Sequence, residues 1–157
     1  MPSGDNQLDL GTPFKGPFKG KGKNRKAVRE LELELVEVKL EMEKLIERYN
    51  EAFPNTPRLV NLRILKRGSQ KFPLIYWRET CGSGTFFKLF GNDKGKQILN
   101  SIGPRSKELF TSFDKEKLIV NFKSKMIGSV IEAYNIYSEG LVEIDEYFEK
   151  LDGLEIY

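Results

Sequence analysis

Apolar residues recur at Val28, Leu31, Leu35, Val38, Met42, Leu45, Tyr49 and Ala52, at spacings that alternate between three and four. That is the rhythm of one face of an α-helix, and it predicts a helix over residues 26–53. The middle of this segment, ELELELVEVKLEME, also alternates with period two, as a strand would. The helical template wins because it covers the whole segment and because Glu and Leu are strong helix formers. Leu33, Val36 and Leu40 widen the apolar stripe beyond a two-stranded seam, which predicts packing on a sheet or on a second helix. Pro54 and Pro57 end the helix, since proline cannot continue it.

Period two takes over in residues 58–90. Val60, Leu62 and Ile64 alternate with Asn61, Arg63 and Leu65. Phe72, Leu74, Tyr76 and Arg78 alternate with Ile75, Trp77 and Glu79. Thr85, Phe87 and Leu89 alternate with Phe86, Lys88 and Phe90. Lys66-Arg67-Gly68-Ser69-Gln70 and Gly82-Ser83-Gly84 read as the turns between three strands. Pro73 lacks a donor and places the start of the second strand at an edge or bulge. Gly91-Asn92-Asp93-Lys94-Gly95 is a further turn, residues 96–102 a short helix, and Gly103-Pro104 its end.

A second long helix is predicted over residues 113–151, with Ser112 or Asp114 as its cap. Its apolar stripe is Ile119, Phe122, Met126, Val130, Tyr134, Tyr137, Leu141, Ile144, Phe148 and Leu151, and Gly128 or Gly140 marks a kink. The expected fold is therefore α+β: a three-stranded antiparallel β-meander between two long amphipathic helices. Residues 1–26 are expected to be a disordered basic tail and residues 27–157 a single α+β domain. The tail repeats itself, Pro13-Phe14-Lys15-Gly16 then Pro17-Phe18-Lys19-Gly20, and holds too little apolar surface to offset the entropy of ordering it. It reads either as a phosphate-seeking arm or as a solubilising terminus.

Charge changes the picture. The net charge of +3 over 157 residues conceals four blocks: +4 in residues 1–26, −4 in 27–53, +8 in 54–110 and −5 in 111–157. Lys115, Lys117, Lys123 and Lys125 lie in the first half of the second helix and acids crowd its second half, an order that opposes the helix macrodipole. The chain contains no histidine and one cysteine, Cys81. Imidazole bases, Ser-His and Cys-His nucleophiles and His-ligated metals are thereby excluded, as is a structural zinc site. No P-loop is present and the helical acids read as a solvated face, so no catalytic residue, metal or cofactor is assigned. No apolar run approaches the ~20 residues needed to span a bilayer, and MPSGDNQLDLGTPFKG lacks the apolar core of a secretory signal. A cytoplasmic protein with no membrane partner is expected.

The candidate site is the basic cluster Arg63, Lys66, Arg67, Lys71, Arg78, Lys88, Lys94, Lys96, Arg105 and Lys107. Lys and Arg neutralise phosphates and release counterions, and six such contacts give a log K against log salt slope of about −5. Arg67 and Lys71 at a hairpin tip suit entry into a DNA groove. The plainer reading is that lysines guard sheet edges and acidic helices neutralise the patch within the chain. Trp77 is expected in the core and Arg78 at the surface. Double-stranded DNA is the expected partner, with RNA as the alternative. A second alternative is a protein-interaction module whose acidic heptad helices hold a partner or form a homodimer.

The layout around Ile75, Trp77 and Arg78 resembles the MobI-like proteins of conjugative plasmids and integrative elements. The resemblance runs through Phe110 and Phe113 into the helix to Leu151, covering residues 26–151. It implies a non-enzymatic accessory factor of conjugative DNA mobilisation, acting in the relaxosome at an origin of transfer beside a relaxase. The lack of histidine agrees with an accessory role, because a nicking relaxase needs a His-ligated metal.

Overall fold

In the computed structural model the described residues are 20–54, 59–65, 72–80 and 86–154. They form α1 (Gly20–Ala52), β1 (Val60–Leu65), β2 (Leu74–Glu79), β3 (Phe86–Phe87), α2 (Asp93–Ser101) and α3 (Pro104–Leu154). The fold is α+β and mostly helical. Three full strands between two long helices are not what forms. The third strand is two residues long, and α2 is a helix in its own right between the sheet and α3. Of the expected tail, residues 20–26 belong to α1 and the rest lies outside the described residues. The chain divides into two compact units, Leu31–Glu132 and Met1–Glu30 with Ala133–Tyr157.

α1 buries the side its heptads select. Val38, Met42, Leu45 and Tyr49 are buried, whereas Leu33, Val36 and Leu40 are exposed. The expected widening of the stripe is therefore wrong, because those three lie about 180° round the helix from the core-facing positions. The last turn closes with Phe53 N–H donating to Tyr49 O at 3.0 Å, and Pro54 follows.

β1 and β2 pair antiparallel along their full length, with Leu62 opposite Trp77 and Ile64 opposite Ile75. β3 adds Phe87 opposite Trp77 and Phe86 opposite Arg78, in the order β1-β2-β3. Val60, Leu62, Ile75 and Trp77 share the inner face and are buried. Tyr49, Trp77, Phe110 and Phe113 pack there ring against ring; Tyr49–Trp77 and Trp77–Phe110 centroids are both 5.4 Å apart.

Gly91 adopts φ +83°, a left-handed value that leads the chain out of the sheet. Asn92 then caps α2, its side chain accepting from Lys94 N–H. Gly103 O accepts the first helical bond of α3 from Lys107 N–H at 3.0 Å. Pro104 sits at the first helical position, where its missing N–H costs nothing. The helix thus begins nine residues before the predicted start at 113. Asp114 is no cap but an interior residue, and Thr111 bonds back to Lys107 O at 2.8 Å.

The predicted stripe of α3 is only partly its inner side: Val130 and Tyr134 are buried. Ile119, Phe122 and Met126 are exposed. The buried side carries Phe110, Phe113 and Val120 together with the polar residues Asp114, Lys117 and Ser124. Gly128 lies on the same side because the Phe72 ring leaves no room for a side chain; a Cβ there would stand 2.1 Å from Phe72 Cδ1. Close approach, not a kink, explains this glycine.

Candidate nucleic-acid interface

The sheet that carries the basic residues is held in place by α3. Trp77 Nε1–H donates to Asp114 Oδ1 at 2.7 Å in the core. Lys117 Nζ lies 3.3 Å from the same oxygen, so the buried carboxylate has both an indole and an ammonium partner. Further along, Asn121 Nδ2 donates to Ile75 O and Asn121 Oδ1 accepts from Ile75 N–H, each at 2.8 Å. Ser124 Oγ donates to Pro73 O. Two facing residues of an antiparallel ladder exchange this same pair of bonds. Asn121 therefore stands in for a strand on the stretch of β2 that β3 is too short to cover. α3 runs antiparallel to β2 and takes over its edge where β3 stops.

This anchoring residue set escaped the sequence reading. Its signal is a heptad of mixed polarity, Phe110, Asp114, Lys117, Asn121, Ser124, Gly128 and Ile131, beside the apolar heptad Phe113, Val120, Ile127 and Tyr134. α1 is joined to α3 by exposed ion pairs: Arg48 with Glu116, and Lys123 with Glu41 at 3.0 Å. The Glu116 hydrogen bond is the main reason the Arg48 pKa stands above its ordinary value.

With the inner face of the sheet filled, its other face carries the charge. Asn61, Arg63, Tyr76 and Arg78 share that face with half-buried Leu65 and buried Leu74, with Arg63 opposite Tyr76 and Arg78 opposite Asn61. The two arginines are diagonal neighbours, about 7–8 Å apart in such a ladder. Both are exposed. Asn61 is oriented by donation from its Nδ2 to Thr80 Oγ1 at 2.9 Å. Lys88 is exposed just beyond β3, Lys96 on α2, and Arg105 and Lys107 on the first turns of α3. Lys94 is half-buried and ion-paired with Glu79, which offsets its charge. Lys66, Arg67 and Lys71, the predicted hairpin tip, lie outside the described residues, as does Cys81.

No group of three His, Cys, Asp or Glu able to hold a metal is found among the described residues. A cleft of about 240 Å³ is lined by Tyr49, Phe53, Leu59, Ile102, Ser106 and Phe110 among others. Its one titratable group is the Tyr49 phenol, which donates to Val60 O. It offers no nucleophile or acid–base pair. No helix among the described residues is long and apolar enough to cross a membrane. No protein-family model, curated protein or solved structure matches this chain.

Proposed function

We propose that this protein binds nucleic acid, double-stranded DNA in the first instance, through the outer face of its sheet and the adjoining starts of α2 and α3. The observation that carries this reading is the exposed pair Arg63 and Arg78, held on one rigid face whose opposite side is core. Guanidinium groups fixed on a strand pair are suited to bridging successive phosphates, and lose little freedom in doing so. Lys88, Lys96, Arg105 and Lys107 extend the cationic surface, and Lys66, Arg67 and Lys71 add charge to the same block of sequence. The resemblance to MobI-like proteins gives the proposal its setting: an accessory factor at an origin of transfer, without catalytic chemistry of its own.

Fluorescence anisotropy of a labelled duplex, titrated across salt, tests this. Six phosphate contacts give a slope of about −5, and each contact removed lowers it by about 0.9. Arg63→Ala with Arg78→Ala is therefore expected to lower the slope by nearly 2 units without changing thermal stability. Absence of binding at low salt, or binding indifferent to salt, would sink the proposal. An equal response to duplex RNA would move the assignment to a general A- and B-form binder.

A further inference from the structure

α1 and α3 each turn a second apolar stripe away from the core. On α1 it is Leu33, Val36 and Leu40, with Leu33 62% exposed. On α3 it is Ile119, Phe122 and Met126, with Phe122 65% exposed. Exposed apolar residues scattered singly need no explanation, but two ordered stripes on one compact unit do. Their rims differ in sign. Glu37, Glu43 and Glu47 border the α1 stripe and outnumber Lys44, and Lys115 and Lys125 border the α3 stripe. None of these six makes an ion pair among the described residues.

We propose that a second copy of this chain covers these stripes, the outer side of α1 packing antiparallel on the outer side of the partner's α3. Charge selects this pairing. α1 against α1 would set glutamates against glutamates, and α3 against α3 would set lysines against lysines. The acidic rim of α1 also repels a phosphate backbone, so nucleic acid is not its occupant. Length and register agree. From Val36 to Glu47 and from Lys115 to Met126 each helix covers about 16 Å. An antiparallel register that sets Leu40 against Phe122 brings Val36 to Met126, Glu37 to Lys125 and Glu47 to Lys115 together. Within one chain the ion pairs Glu41–Lys123 and Arg48–Glu116 already hold α1 and α3 side by side and antiparallel. A two-fold axis along the helices then makes the contact twice and closes the assembly as a dimer.

The surface differs from the heptad seam of α1, which is consumed by the core, and the proposal does not depend on nucleic-acid binding. Sedimentation velocity of the full chain is expected to show a reversible monomer–dimer equilibrium. Phe122→Asp or Leu40→Asp is expected to weaken it at least about tenfold while circular dichroism and the thermal midpoint of the dilute protein hold. Glu47→Lys weakens it as well, and Glu47→Lys with Lys115→Glu restores it. With Cys81 replaced by Ser, a mixture of Leu40→Cys and Phe122→Cys chains oxidises to a covalent dimer. Neither variant does so alone. A chain that stays monomeric, a dimer indifferent to Phe122→Asp, assembly beyond the dimer, or Leu40→Cys cross-linking to itself would each overturn the proposal.

Discussion

At the scale of the residue, Asn121 has the largest structural effect for its size. Its amide satisfies both backbone groups of Ile75. Asn121→Ala leaves a part-buried N–H and C=O without a partner, a loss of about 2–3 kcal/mol for two such groups. Asn121→Asp keeps the acceptor but sets a carboxylate oxygen against the Ile75 carbonyl where the donor was, so a loss at least as large is expected, measured by urea denaturation of both variants against the native chain. Equal stability of Asn121→Ala and the native chain would show that the strand edge is satisfied by other means. Nothing in the sequence marks Asn121 as special. A lone asparagine in a helix reads as a solvated residue, because its value depends on a backbone forty-six positions away. Trp77 and Arg78 were legible for the opposite reason. Strand alternation alone puts one inward and the other outward, and the structure has Trp77 at 0% exposure with Arg78 exposed.

At the scale of the element, the two long helices show when hydropathy suffices. On α1 the heptad from Val38 to Tyr49 is the buried side, since that helix meets its neighbours through apolar contact. Met42→Ala and Leu45→Ala are accordingly expected to cost about 2–5 kcal/mol each. Leu33→Ala and Leu40→Ala should stay within about 0.5 kcal/mol when measured in dilute solution. Thermal or chemical denaturation that ranks the outer pair with the inner one would contradict the assigned face. On α3 the same reasoning misleads. The helix docks partly through hydrogen bonds to strand backbone, so Asp114, Asn121 and Ser124 face inward, leaving Ile119, Phe122 and Met126 outside. A hydropathy pattern reports which sides are apolar, and on this helix it does not say that Ile119, Phe122 and Met126 are the ones left exposed. The early start of α3 was missed because Gly103-Pro104 punctuates in both directions, closing α2 and opening the next helix.

At the scale of the whole molecule, the charge blocks and the two proposals make a joint prediction. In a dimer formed through the outer helix sides, the two outer sheet faces point away from each other, so one duplex meets one face at a time. Phe122→Asp is therefore expected to leave the salt slope of duplex binding unchanged, while Arg63→Ala with Arg78→Ala lowers it. A slope that falls with Phe122→Asp would show that the dimer brings both faces to one duplex. The order of the elements, the acidic helices and the basic centre were all readable from local composition and period. The shortness of β3 and the grouping of Met1–Glu30 with Ala133–Tyr157 were not, since both depend on which distant segments meet. The short β3 has one more result. LIYWRE is rich in β-branched and aromatic residues, the composition from which intermolecular cross-β ladders grow. β3 shields it opposite Trp77 and Arg78, and beside Ile75 a single helical side chain fills the ladder position. A local opening of α3 around Asn121 would bare that edge without global unfolding, so hydrogen exchange at Ile75 N–H through local opening is expected to track loss of the protein to aggregation at high concentration.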